Sequence, residues 1–97
     1  MQTKKSIEDG KLTIAVSGRL DTNTAAELES ELAFDGAGEV VFDFAELEYI
    51  SSAGLRVLLL AKKATMSAGQ KMSIVNANDT VRGVLEITGC GEIFGLS

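Results

Sequence analysis

Two adjacent hydroxyl groups, those of Ser51 and Ser52, stand just before an apolar segment with the pattern of a helix. Ala53 and Gly54 follow, so a partner surface can approach these hydroxyls closely. The start of a helix favours an anion, because its first N–H groups are free and its dipole is positive there. A phosphate on Ser52 would add a charge of about −1.5 to −2 and three acceptor oxygens. The segment therefore predicts either a phosphorylation switch or, as the ordinary alternative, a serine that only caps the helix.

Gly54 is relevant to the choice between a phosphorylation switch and a simple helix cap. Glycine costs a helix interior about 1 kcal/mol relative to alanine, and somewhat less near an end. Close approach of another molecule to this turn is one reason why a chain would accept that cost. Gly54 therefore favours a contact surface at the start of the helix.

The composition argues against most enzyme chemistry. There is no histidine, and Cys90 is the single cysteine, so an intrachain disulfide, a Cys/His zinc site and a triad with a histidine base are excluded. Cys90 stands between two glycines and is interpreted as a small packing residue. The net charge is −5 and no basic run occurs, which argues against direct binding of nucleic acid. We expect no enzyme activity, no cofactor and no bound metal.

The 97 residues, 45% of them hydrophobic, suffice for one domain spanning residues 1–97. The longest apolar run, Val57–Ala61, is too short to cross a bilayer. The N-terminal sequence MQTKKSIEDG has no apolar stretch after its lysines and so differs from a secretory signal. We expect no membrane insertion and, by default, a cytoplasmic location.

The elements that must position the serines follow from periodicity. Residues 2–8 and Lys11–Ser17 are predicted strands, joined by a tight turn at Asp9-Gly10, and the second strand is expected to end at Gly18. Thr24 and Glu27 have the spacing of a capping box, although Thr22 or Asn23 could cap instead. The helix that follows is expected to reach about Ala33, with this buried stripe: Ala25, Leu28, Leu32.

The second half contains a continuous apolar run, Val40–Phe44, typical of a central strand covered on both faces. The next helix is expected to run from Ser51 or Ser52 to about Ser67, with these buried residues: Leu55, Leu58, Leu59, Met66. Arg56, Lys62 and Lys63 are expected to point outward.

A strand at Met72–Val75 and a last helix capped by Asn78 or Asp79 complete the alternation. That helix is expected to bury these residues: Val81, Val84, Leu85, Ile87. Ile93 and Phe94 are expected to form a short final strand. The order ββαβαβα predicts an α/β fold with a mixed, mostly parallel sheet of four to five strands and three to four helices.

Three parts of the chain together resemble the signature of the STAS domains (sulfate transporter and anti-sigma factor antagonist). In that family an apolar strand ends in Asp or Asn, and a short interval leads to Asp-Ser-(Ser/Thr/Ala)-Gly-Leu and an apolar helix. Val40–Asp43 matches the strand, and Ser52-Ala53-Gly54-Leu55 matches the core of the motif. Ser17–Ala25 resembles the family's Gly-x-(Leu/Ile)-Asp segment, and Val84–Gly89 resembles its final helix and glycine stop.

The resemblance implies that Ser52 is the phosphorylated serine, with Asp21 and Asp43 flanking it at the same end of the sheet. Asp21 could instead be a turn or cap residue, and Asp43 could instead bond loop N–H groups. Ser51 stands where the family often has aspartate, and it could cap the helix or accept a phosphate itself. The implied partner-binding residues are these: Asp21, Thr22, Asn23, Asp43, Ser51, Ser52, Ala53, Gly54, Arg56.

The resemblance also implies partner switching in bacterial transcription regulation. The unmodified protein, a monomer when free, binds an anti-sigma factor that is also a serine kinase using ATP and magnesium, and the sigma factor is released. Phosphorylation of Ser52 ends the binding, and a PP2C-like phosphatase restores it. The alternative, which Ser51 permits, is a non-phosphorylated STAS accessory subunit of a lipid or anion transport complex.

Overall fold

The computed structural model describes residues 1–32, 34, 36–89 and 93–94. Strands and helices follow each other in the predicted order ββαβαβα, which is confirmed. The elements of the described residues are β1 (Gln2–Glu8), β2 (Lys11–Leu20), α1 (Ala25–Glu29), β3 (Glu39–Ile50), α2 (Ser52–Ser67), β4 (Lys71–Val75) and α3 (Asp79–Ile87). None of the helices in these ranges is long and apolar enough to span a membrane.

The four strands form one mixed sheet in the order β1-β2-β3-β4. β1 and β2 are antiparallel, and the turn between them places Asp9 and Gly10 at φ values of 52° and 79°. Two consecutive positive φ values are the signature of a type I′ hairpin turn, which Asp-Gly favours. β3 pairs in parallel with both β2 and β4. The predicted α/β fold with a mostly parallel sheet is confirmed.

The hydrophobic core lies on one face of the sheet. Alternate residues of β2, namely Leu12, Ile14 and Val16, join one buried cluster with the inward residues of α1, α2 and α3. The intervening residues of β2 lie on the other face and are only partly buried. Within the described ranges no helix covers that second face, so the expectation that β3 is covered on both faces is wrong. Val41 is nevertheless buried on that side, where its cross-strand neighbours are Thr13 and Ser73.

β2 and β3 both extend further than their sequences predict. Ala15 of β2 pairs with Asp43 and Ser17 pairs with Glu46, so β3 spans three residue steps where β2 spans two. A second register shift follows Gly18. Each shift inserts an extra residue on β3, as a β-bulge does. The bulges keep β3 paired with β2 as far as Ile50, beyond the point where the apolar alternation stops.

Helix bounds and burial require four corrections. α1 ends at Glu29, well before the expected end near Ala33. Leu59 and Met66 of α2 and Ile87 of α3 were expected to be buried, but they are 41%, 68% and 87% exposed. Leu55 and Leu58 are buried as predicted, and the inward face of α2 also carries Val57 and Ala61.

At the end of the chain Ile93 and Phe94 lie in a turn rather than a strand, with Phe94 buried in the core. Cys90 lies outside the described residues.

Candidate functional site

Ser51 fixes the start of α2. Its backbone is extended, with φ −101° and ψ 176°, and its side-chain oxygen accepts a hydrogen bond from the Gly54 N–H at 3.4 Å. Its own N–H donates to the Leu20 carbonyl at 2.9 Å. Ser51 is therefore the N-cap, as one alternative predicted, and it ties the helix to the end of β2.

Ser52 is the first residue of α2 and is exposed. Across the residues that the structure describes, no group forms a hydrogen bond with its hydroxyl. Because Ser51 already caps the helix, α2 does not need the Ser52 hydroxyl for its own stability. Ala53, the next residue, is half-buried against the core.

Gly54 is buried and does not belong to the surface. A Cβ atom at this position would lie 2.7 Å from Leu20 Cγ, 2.9 Å from the Leu20 carbonyl oxygen and 3.0 Å from Ile50 Cγ1. The close approach that the sequence suggested is therefore made by the chain itself and not by a partner. It packs the first turn of α2 directly on the ends of β2 and β3, which holds the serines rigidly.

Asp21 organises the loop between β2 and α1. Its Oδ1 accepts hydrogen bonds from the N–H groups of Asn23 at 3.0 Å and Thr24 at 3.2 Å, which is the geometry of an Asx turn. Thr24 does not form the expected capping box, because its side-chain oxygen accepts from the Asp21 N–H at 2.9 Å while its hydroxyl donates to the Arg19 carbonyl at 2.8 Å. Thr22 and Asn23 are exposed. Since Leu20 bonds Ser51, this loop lies beside the start of α2.

Arg19 adds a contact that the sequence did not indicate. Its guanidinium carbon lies 4.5 Å from the centre of the Tyr49 ring, and its Nε lies 3.8 Å from Asp21 Oδ2. The two residues face each other only because the second bulge shifts the register of β2 and β3. No local signal in either strand predicts that shift.

Asp43 is not beside Ser52, contrary to expectation. Asp43 lies within β3, seven residues before Ile50 at the end of that strand. At the rise of a β-strand, Asp43 and Ile50 are roughly 20 Å apart. Its Oδ1 accepts hydrogen bonds from the Ala45 N–H at 3.0 Å and from Asn76 Nδ2 at 3.1 Å. Its side chain thus stabilises the bulge and the end of β4, in line with the alternative that Asp43 bonds nearby N–H groups. The expectation failed because β3 continues past the aspartate.

Arg56 lies one helical turn beyond Ser52 and is exposed, as predicted. Its Nη2 lies 3.2 Å from Glu29 Oε1, so the pair joins α2 to α1. The site thus combines an exposed hydroxyl at Ser52, a cation on the same helix, and the exposed loop of Thr22 and Asn23. This arrangement offers a contact surface with a modifiable hydroxyl.

Comparison with known proteins identifies the family of this chain. The sequence model of the STAS domain family matches residues 1–97 of this chain. BtrV of Bordetella bronchiseptica, named as an anti-sigma factor antagonist, is 39% identical over 89 residues, which cover 89% of this chain and 77% of BtrV.

Solved structures share the fold. An anti-sigma factor antagonist from Mycobacterium paratuberculosis superposes with a TM-score of 0.87 at 26% identity, covering 98% of this chain and 83% of that one. The anti-sigma factor antagonist SpoIIAA, in its unphosphorylated form, gives a TM-score of 0.83 at 16% identity, covering 99% and 88%. The chain therefore belongs to the STAS domain family, among the anti-sigma factor antagonists.

Proposed function

We propose that this protein binds an anti-sigma factor that is also a serine kinase, and that phosphorylation of Ser52 ends the binding. One observation carries the proposal: the Ser52 hydroxyl is exposed at the start of α2 and forms no hydrogen bond with any described residue, while Ser51 performs the capping. A hydroxyl with no structural role can be modified without unfolding the domain. The names of the relatives, BtrV and SpoIIAA, support the choice of partner.

The chemical step belongs to the kinase. Ser52 Oγ attacks the γ-phosphorus of ATP held with magnesium by the kinase, and the bond from that phosphorus to the ADP oxygen breaks. The hydroxyl proton passes to a base of the kinase. A PP2C-like phosphatase reverses the modification by transferring the phosphoryl group to water. This protein is the substrate of both enzymes and is not itself a catalyst.

The phosphate ends binding through charge and bulk. We place the contact surface on Ser52, Ala53, Arg56 and the loop formed by residues 21–23, with Ser51 at its edge. Asp21 already contributes a negative charge there, and a phosphate adds about −1.5 to −2 more. Each tenfold loss of affinity requires only about 1.4 kcal/mol. Gly54 and Asp43 are left out of the surface, because one is buried and the other lies far along β3.

The direct test is phosphate incorporation by the cognate kinase with ATP, measured by intact-mass spectrometry. We expect one phosphate on the wild type and on Ser51→Ala, and none on Ser52→Ala. Ser51→Ala is the matched control, since it removes the adjacent hydroxyl. Phosphate on Ser52→Ala, or none on the wild type, would refute the assignment of Ser52.

Binding is measured on the same samples by calorimetric titration with the anti-sigma factor. Ser52→Ala is expected to bind like the wild type, and Ser52→Asp or the phosphorylated form to bind at least tenfold more weakly. Equal affinities would contradict the switch. Constant binding together with co-purification of a transporter ATPase subunit would favour the accessory-subunit alternative.

A further inference from the structure

Ser52 and Arg56 share one face of α2. They are four residues apart and both are exposed, so their side chains are neighbours on the helix surface. In the unmodified protein the Arg56 guanidinium forms an ion pair with Glu29 of α1, with 3.2 Å between Arg56 Nη2 and Glu29 Oε1. The side chains of Arg56 and Glu29 are 65% and 45% exposed, so this ion pair is well solvated and weak.

The cation at the end of β2 is already engaged. Arg19 contacts the Tyr49 ring and pairs with Asp21, and the first turn of α2 carries no acidic residue. Arg56 is therefore the cation that the helix geometry offers to an anion on Ser52. An anion four residues before a cation is the favourable order on a helix.

A phosphate is also a better partner for arginine than a single carboxylate. It carries up to two charges and three acceptor oxygens, and the planar guanidinium can donate two parallel hydrogen bonds to it. A phosphoserine at the first position of α2 thus competes with Glu29 for the same guanidinium.

We propose that Arg56 exchanges partners when Ser52 is phosphorylated, leaving Glu29 of α1 and pairing with the phosphate of α2. The inference rests on the proposed modification of Ser52 and describes how that site is regulated. The exchange partly neutralises the phosphate and leaves Glu29 as an uncompensated anion. The change in surface charge therefore reaches α1 as well as α2, so a partner that contacts both helices experiences it at two places.

The test uses full-length protein with phosphoserine incorporated genetically at position 52, so it does not depend on any kinase. The midpoint of the phosphate's second ionisation is followed by phosphorus NMR as a function of pH. A nearby cation favours the dianion, so in Arg56→Gln the midpoint is expected to rise by about 0.3 pH units. Arg82→Gln is the matched control, because Arg82 makes a comparable ion pair with Glu86 on α3 at 3.5 Å. Its midpoint should equal that of the unsubstituted protein.

Glu29→Gln supplies the second arm. It frees Arg56, so the midpoint should fall, and most of that fall should disappear when Arg56→Gln is also present. A midpoint unchanged by Arg56→Gln would overturn the exchange, as would an equal effect of Glu29→Gln in both backgrounds. Failure of the kinase to modify Ser52 would instead refute the proposed function, and the NMR result would not change.

Discussion

Helices α2 and α3 each follow a parallel strand and each begin with a polar cap, yet the two starts differ. Asn78 accepts from the Val81 N–H at 2.8 Å and also donates to the Leu47 carbonyl at 2.9 Å. Ser51 makes one longer side-chain bond, at 3.4 Å, to the Gly54 N–H.

The residue after the cap differs as well. It is Asp79 in α3, an acidic side chain at the positive end of the helix dipole, whereas α2 has the uncharged Ser52 and no acid in its first turn. The comparison teaches that α3 carries a favourable charge in its own sequence, whereas α2 would gain one only through the proposed phosphorylation of Ser52.

The largest expected difference in stability is between alanine substitutions at the glycines of the two helices. Gly54→Ala places a Cβ atom within 2.9 Å of the Leu20 carbonyl oxygen, so we expect a loss of about 3 kcal/mol in the free energy of unfolding. Gly83→Ala, within α3, places a Cβ atom more than 4 Å from its non-local neighbours among the described residues, and should raise the free energy of unfolding by about 0.5 to 1 kcal/mol. Urea unfolding measures both. Equal effects would mean that the first turn of α2 is not packed on β2 as described.

Removal of the two N-cap side chains should also change the free energy of unfolding unequally, but by a smaller difference. Asn78→Ala loses two hydrogen bonds and should lower the free energy of unfolding by about 2 kcal/mol. Ser51→Ala loses one long bond and should cost about 0.5 kcal/mol. Thermal and urea unfolding of the two variants give the comparison. A larger loss at Ser51 would show that α2 depends on its cap more than α3 does.

The smallest effect concerns the charge itself. Ser52→Asp adds an anion to the first turn of α2 and should stabilise the fold by about 0.5 kcal/mol at low salt, whereas Asp79→Asn should destabilise it by a similar amount. Both effects should shrink at high ionic strength, because salt screens exposed charges. Unfolding in low and high salt provides the measurement. Destabilisation by Ser52→Asp would contradict a helix start that accepts an anion.

The sequence predicted the features that depend on local patterns. The bounds of α2 follow from the small polar residues before it and from Gly69 after it, and the Asp9-Gly10 turn follows from backbone preferences. The order of elements, and with it the mixed sheet, follows from alternation alone.

The features that failed depend on contacts between distant segments. Asp43 seemed to end a strand because it interrupts an apolar run, but pairing with β2 carries β3 through two bulges to Ile50. Gly54 seemed to serve a partner, because the sequence does not reveal that Leu20 lies against it. Exposure of Leu59 likewise depends on how α2 is rotated against the sheet, which hydrophobicity alone does not determine.

The spatial order of the strands repeats their order in the chain, so each strand meets its neighbour after one intervening turn or helix. Such local connections keep the entropy of loop closure small and favour rapid folding. The bond from Ser51 to Leu20, however, can form only after β3 has joined β2. An unfolded or half-assembled chain therefore lacks the rigid Ser52 surface, and a kinase that recognises this surface would distinguish finished molecules from nascent ones.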